Sequence, residues 1–382
     1  MKSTKLFKEF FESEKAGGLI LIACTIISLV IANSAIGADY HHFWETKFAG
    51  LPIELWVNDG LMAIFFLLIG LELEREIYKG ELSNFRNALL PLFAALGGVI
   101  VPAGIYLLFN YGTPTQSGAG IPMATDIAFA LGILSLLGSR VPASLKVFLT
   151  ALAVIDDLCA ILVIAIFYTQ SLDWTNLFIS LGIFALLLVF NRIKIRNLAP
   201  YLIGGVAMWY FMLHSGVHAT ITGVLLAFAI PFGNGDERSP SYILQHFLHK
   251  PVAFIILPIF ALANTAIILN SNLVETLSQN YSLGIAIGLI AGKPIGIFFI
   301  TLLAVSVGIC KLPDDLKWKN IFGAGLLGGI GFTMSIFITL LAFDDQTHIN
   351  NAKLVILLSS LVAGILGFLT LKLTLPNTKI ED

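Results

Sequence analysis

Charge is what this sequence lacks most. Of its 382 residues only 12% are Asp, Glu, Lys or Arg, while 57% are hydrophobic; an ordinary soluble domain carries roughly a quarter charged. Mean hydropathy is +0.89. So little charge cannot solvate the outside of a soluble fold of this size, and the chain reads as a polytopic membrane protein. Net charge is missing too. Lys and Arg number 22 against 24 Asp and Glu, a formal −2, which excludes the global basic field of a nucleic-acid binder. Cysteine is scarce: Cys24, Cys159 and Cys310 are odd in number, widely spaced and without a CxxC pair, so no disulfide is expected. No GxxxxGK[ST] loop occurs to bind ATP.

What is present is a series of apolar runs. Twelve candidate spans centre near Ile26, Phe65, Gly98, Phe129, Val154, Phe184, Val206, Leu225, Phe260, Ala291, Gly331 and Val362. Their continuous apolarity fits helices rather than the alternating strands of an outer-membrane barrel. The first run is taken as an uncleaved helix and not a signal peptide, because acidic Glu9, Glu12 and Glu14 are mixed with the leading lysines. No soluble domain is expected between spans, the longest connection being placed around Gly233 to Asp236.

Positive charge orients the chain. Lys2, Lys5, Lys8, Lys15, Arg75, Lys79, Arg86, Arg140, Lys146, Arg192, Lys194, Arg196, Arg238, Lys250, Lys311, Lys317, Lys319, Lys372 and Lys379 all fall on one side if the chain crosses twelve times. Lys47 and Lys353 are assigned to loops on the other. Positive residues gather at the cytoplasmic face, which puts both termini in the cytoplasm.

Four ionisable residues lie deep in apolar runs: Asp126, Asp156, Asp157 and Lys293. Each charge at the bilayer centre costs roughly 2.5–3.5 kcal/mol on insertion scales. Asp156 and Asp157 have about nine apolar residues on either side, at 147–155 and 158–166, so neither can reach the interface. Two adjacent carboxylates resist ionising together, which suits the pair to binding protons or a hard cation. Lys293, beside Pro294, is a natural partner for a carboxylate. Asp126 follows Ile121-Pro-Met-Ala-Thr125 and reads equally as a helix cap. The eleventh run holds Gly323, Gly325, Gly328, Gly329 and Gly331 within nine positions, a poor sequence for an unbroken helix. Broken helices are therefore expected in the fourth and eleventh spans, with Asp126 balancing exposed helix N-termini and Lys293 the C-termini.

Weaker candidates lie nearer the interfaces. Glu72, Glu74 and Glu76 end the second span beside Arg75 and read as an interface belt. His246 and His249 open the ninth span; their spacing permits metal ligation but no third ligand is apparent, and a pH-sensitive surface fits better. His218 begins the eighth span near the outer face.

Several stretches together resemble the NhaA family of bacterial sodium/proton antiporters, over essentially the whole chain. They are Phe65-Phe-Leu-Leu-Ile-Gly-Leu-Glu72, Ala124-Thr-Asp-Ile-Ala-Phe-Ala-Leu-Gly132, Leu137-Gly-Ser-Arg-Val-Pro142, Ala153-Val-Ile-Asp-Asp157, Ser215-Gly-Val-His-Ala-Thr220, Gly292-Lys-Pro-Ile-Gly296 and Gly328-Gly-Ile-Gly-Phe-Thr-Met-Ser-Ile-Phe337. Paired interrupted spans in corresponding halves mark inverted-repeat secondary transporters, of which that family is itself a standard example.

The resemblance implies an all-α fold of twelve transmembrane helices in one domain. Helices 3–5 and 10–12 (core residues about 88–168 and 281–373) are inverted repeats, and helices 4 and 11 are broken in mid-membrane. It implies electrogenic, pH-regulated exchange of cytoplasmic Na+ or Li+ for external H+, with no cofactor, at Asp156 and Asp157, with Thr125 as a further ligand. By the same resemblance Lys293 pairs with Asp156 when sodium is absent, and Glu72, Arg75, His246, His249 and His218 take part in the pH response. Members are homodimers that associate through the loop after the first helix, here about Ile36 to Leu51. Gln245 and Glu74 depart from the pattern, an acidic and a basic residue being expected at those positions. The nearest alternative is a sodium-coupled symporter of a small organic anion. An intramembrane aspartyl protease lacks its GxGD motif and leaves Lys293 unexplained; a retinal pump is at odds with twelve spans and a paired carboxylate.

Overall fold

The computed structural model describes residues 2–169, 172–269 and 273–376. Lys379, counted above with the inward charges, lies outside them. Twelve helical segments follow the twelve apolar runs. They are α1 (Lys2–Ala32), α2 (Ile53–Tyr78), α3 (Phe85–Asn110), α4 (Gln116–Ser135), α5 (Ala143–Phe167), α6 (Trp174–Arg192), α7 (Ala199–Leu213), α8 (Ile221–Ala229), α9 (Pro240–Asn264), α10 (Asn280–Ser306), α11 (Trp318–Gly328 with Phe332–Ala342) and α12 (Gln346–Thr374). Eight of these are long and apolar enough to cross a bilayer singly. The apolar part of α1 continues into a short helix, Gly37–Glu45, after a bend of 113°, and the two pieces of α11 meet at 48°. Only α7 and α8, at 15 and 9 residues, fall short of the roughly 20 residues a span needs.

The connection from α1 to α2, not the one after α8, is the longest ordered link. It holds the helix Gly37–Glu45 and a two-stranded antiparallel hairpin pairing Lys47 with Pro52 and Phe48 with Leu51. This is the only sheet among the described residues.

Small residues set the closest contacts, as expected where lipid offers no hydrophobic drive for helices to associate. α3 lies along α10, and a Cβ built on Gly97 would fall 2.1 Å from the Gly296 carbonyl oxygen, with the reciprocal contact equally short. Both obstacles are backbone and cannot swing aside. Gly97→Leu is therefore expected to cost upwards of about 3 kcal/mol through overpacking, read as a fall in the detergent melting temperature; an unchanged melting curve would show that these helices part freely.

Two charges sit where the sequence reading did not put them. Lys353 is not a loop residue: it is the eighth residue of α12 and buried. Glu74 likewise is buried at 4% exposure, not part of an open interface belt.

Candidate ion site at the crossing of two broken helices

α4 begins as a tight 3-10 segment, Gln116–Met123, containing Pro122, and becomes α-helical only from Ile127 to Ser135. Between them Ala124 and Asp126 are extended, with ψ of 151° and 99°. In α11 the helix stops at Gly328 and restarts at Phe332. Glycine is required there: a Cβ on Gly329 would lie 2.3 Å from the Leu289 carbonyl oxygen of α10. The two interruptions cross, the Asp126 N–H donating to Ile330 O at 2.6 Å, and the Ser335 hydroxyl donating to Ile121 O at 2.7 Å.

Four helix ends thus meet in the middle of the bundle, and each finds a partner. Asp126 accepts from Phe129 N at 3.0 Å and from Thr333 N at 3.1 Å, so one carboxylate caps the second halves of both broken spans, with the Thr333 hydroxyl as an added donor. The C-terminal ends present carbonyls. Lys293 donates to Met123 O, and the Thr125 hydroxyl lies 2.9 Å from Gly328 O. Charge of the right sign faces three of the ends, and a neutral hydroxyl donor the fourth. Lys293 itself projects from α10 where a widened turn, Gly288–Gly292, precedes Pro294, whose ring and missing N–H disrupt regular helix.

Asp156 and Asp157 enter from unbroken α5. Lys293 Nζ is 2.8 Å from Asp156 Oδ2, and Thr125 Oγ1 is 2.7 Å from the same oxygen. The single Thr125 proton goes either to it or to Gly328 O. Asp156 Oδ1 and both Asp157 oxygens are buried without a hydrogen-bond partner. Thr125, Asp126, Asp156, Asp157 and Lys293 are each no more than 2% exposed. The result is a buried cluster with three unengaged carboxylate oxygens, next to a hydroxyl and helix-end carbonyls. Such a set suits a hard cation or protons. Among the described residues no group of three or more His, Cys, Asp or Glu gathers to hold a metal ion.

The remaining candidates lie apart from this cluster. Glu72 Oε1 is 4.0 Å from His249 Nδ1. Arg75 sits 5.9 Å from the centre of the Tyr242 ring, which stacks on His246 at 6.1 Å. These four pH-response candidates therefore form one cluster where the end of α2 meets the start of α9. His218 is not with them: its Nε2 is 2.8 Å from Tyr168 O, tying the turn before α8 to the end of α5. Sequence reading gave no role to Thr333, although a Thr just past a glycine run is a recognisable capping partner. It also missed Lys353 and the burial of Glu74.

A helical bundle with paired broken spans and a sealed carboxylate site at their crossing is the architecture of a secondary ion transporter. Residues 8–371 match the Na+/H+ antiporter 1 family. A Flavobacterium psychrophilum protein named Na(+)/H(+) antiporter NhaA is 74% identical over the full length of both chains. A Flavobacterium johnsoniae NhaA 1 is 63% identical over 99% of this chain and 100% of its own, and a Cytophaga hutchinsonii NhaA 64% identical over 99% and 97%. The chain belongs to the Na+/H+ antiporter 1 family, whose members are transporters and not enzymes.

Proposed function

We propose that this protein moves Na+ or Li+ out of a bacterial cell in exchange for entering protons, both ions competing for Asp156 and Asp157. The observation that carries this reading is the trio of unengaged carboxylate oxygens buried in mid-bundle. An ionised carboxylate there is costly unless something neutralises it, so the site takes either a cation or protons. Sodium binding at Asp157 draws in Asp156, and Lys293 gives up its ion pair while keeping Met123 O. Protons reverse the exchange. Only an occupied site crosses between faces, so net leakage is suppressed. More than one proton returns per sodium ion, which makes the cycle electrogenic, and the proton gradient alone drives it without ATP or cofactor.

The Glu72–His249 and Arg75–Tyr242–His246 contacts join α2 to α9, and titration of this cluster sets the pH response. His218 contributes separately at the opposite end. Both termini face the cytoplasm on the charge count. Two copies associate through residues 36–51, whose short strands leave exposed edges.

The test is a preset proton gradient in proteoliposomes. Na+ and Li+ collapse it and K+ does not, and the half-saturating Na+ concentration falls about tenfold per pH unit wherever one proton competes with one ion. Absence of any cation-dependent response between pH 6 and 9 would overturn the exchange reading.

A further inference from the structure

The bundle contains a second buried ammonium that the exchange scheme leaves unused. Lys353 lies in the third turn of α12, about 10 Å along the helix axis from its start, at 6% exposure. Its surroundings contrast with those of Lys293. Lys293 has a carboxylate at 2.8 Å and a backbone carbonyl. Lys353 has the neutral side-chain oxygen of Asn264, at 3.4 Å, and among the described residues no carboxylate within ion-pair distance. Glu54 is the acidic group whose field reaches it.

Asn264, at the end of α9 and 1% exposed, passes the contact on. Its amide donates to Asn58 Oδ1 at 2.7 Å and to Phe260 O at 3.1 Å. Asn58 lies in the widened turn Trp56–Leu61 that opens α2. The chain Lys353–Asn264–Asn58 therefore joins α12, which belongs to the same repeat as α10 and its Lys293, to α9 and α2, which lie outside both repeats. It sits at the hairpin end of the bundle, the outer end on the charge count.

Two effects of opposite sign act here, and their sizes decide. Holding an ammonium out of water carries a large desolvation penalty even after local relaxation. One long hydrogen bond to a neutral amide returns only a small part of it. The cost wins, so the charge disfavours the sealed arrangement and is relieved when water reaches this junction.

We infer that Lys353 is a positioning residue that opposes closure of the outer end, keeping the sealed conformer of the transport cycle from becoming a resting trap. The inference rests on the exchange reading above for its place in a cycle. It differs from a clasp, in which the same contact would hold the end shut, by the sign of every observable.

The experiment compares Lys353→Met with the unmodified full-length chain, both in a background with Cys24, Cys159 and Cys310 replaced by Ala and Ala263→Cys as reporter. Expected for Lys353→Met are a higher melting temperature, about tenfold slower labelling of the reporter by a membrane-impermeant maleimide added from outside, and about tenfold lower maximal exchange with a lower Na+ KM. A lower melting temperature, faster labelling, unchanged rates, or failure of the variant to fold overturns the inference, because each is the wrong sign for relief of a buried charge. Melting and labelling need no transported ion. If both move as expected while the unmodified chain shows no Na+-dependent proton movement, the exchange reading falls and the inference about closure stands.

Discussion

Replacing Asp157 by Asn should lower sodium-driven proton movement at least a thousandfold while leaving a folded protein. Asp157 contributes two oxygens that nothing in the chain engages, so the substitution breaks no hydrogen bond. A neutral amide is also cheaper to bury than an unpaired carboxylate, so the melting temperature at pH 8 does not drop by the amount a core defect would cause. What disappears is the attraction for a desolvated cation, about 4 kcal/mol for unit charges 4 Å apart at an effective dielectric near 20, which is roughly three decades in affinity. The loss of proton exchange at the same oxygen compounds it. Proton flux in proteoliposomes measures the first effect and calorimetry in detergent the second. A folded variant that keeps exchange within tenfold of the parent would remove Asp157 from the ion site.

Lys293→Met should be the most destabilising single change in the core, and by an amount that depends on pH. It takes the ammonium from the Met123 carbonyl and from Asp156 Oδ2, which keeps only the neutral Thr125 hydroxyl, and removing one partner of a buried pair costs about 3–5 kcal/mol. The penalty belongs to the charge on Asp156. A protonated Asp156 carries none, so the loss is largest at alkaline pH and shrinks as pH falls. The melting temperature of the variant, plotted against pH from 6 to 9, therefore diverges downward from the parent's as pH rises. Adding Asp156→Asn to Lys293→Met should recover much of the loss, the coupling that a double-mutant cycle isolates. Equal destabilisation at pH 6 and pH 9 would mean that packing, and not the ion pair, is what Lys293 supplies.

The architecture was largely legible because a bilayer imposes its own period: each of the twelve apolar runs answers to a helical segment, and the glycine run from 323 to 331 and the Pro122 segment coincide with the two breaks. The same logic drew attention to Asp126, Asp156, Asp157 and Lys293, since a charge in the middle of an apolar run is visible without knowing its neighbours. Lys353 was hidden by its setting. Residues 346–351, Gln-Thr-His-Ile-Asn-Asn, are polar enough to read as loop, yet α12 starts at Gln346. Whether Lys353 meets water or Asn264 is decided by α9, which no local pattern reports. Glu74 was obscured in the same way by Glu72, Arg75 and Glu76. The widened turns in α2, α9 and α10 leave no composition signal beyond Gly and Pro nearby.

The double cap at Asp126 has a mechanical meaning. A half-helix held by its own separate cap is free to pivot against its neighbour. Here the second halves of α4 and α11 hang from the two oxygens of one side chain, and their backbones are joined again at Asp126 N and Ile330 O. Tilting either half alone strips a buried helix end of its acceptor. The crossing therefore travels as one stiff joint, and the give in the structure is displaced outward, to the connections at 136–142 and 307–317.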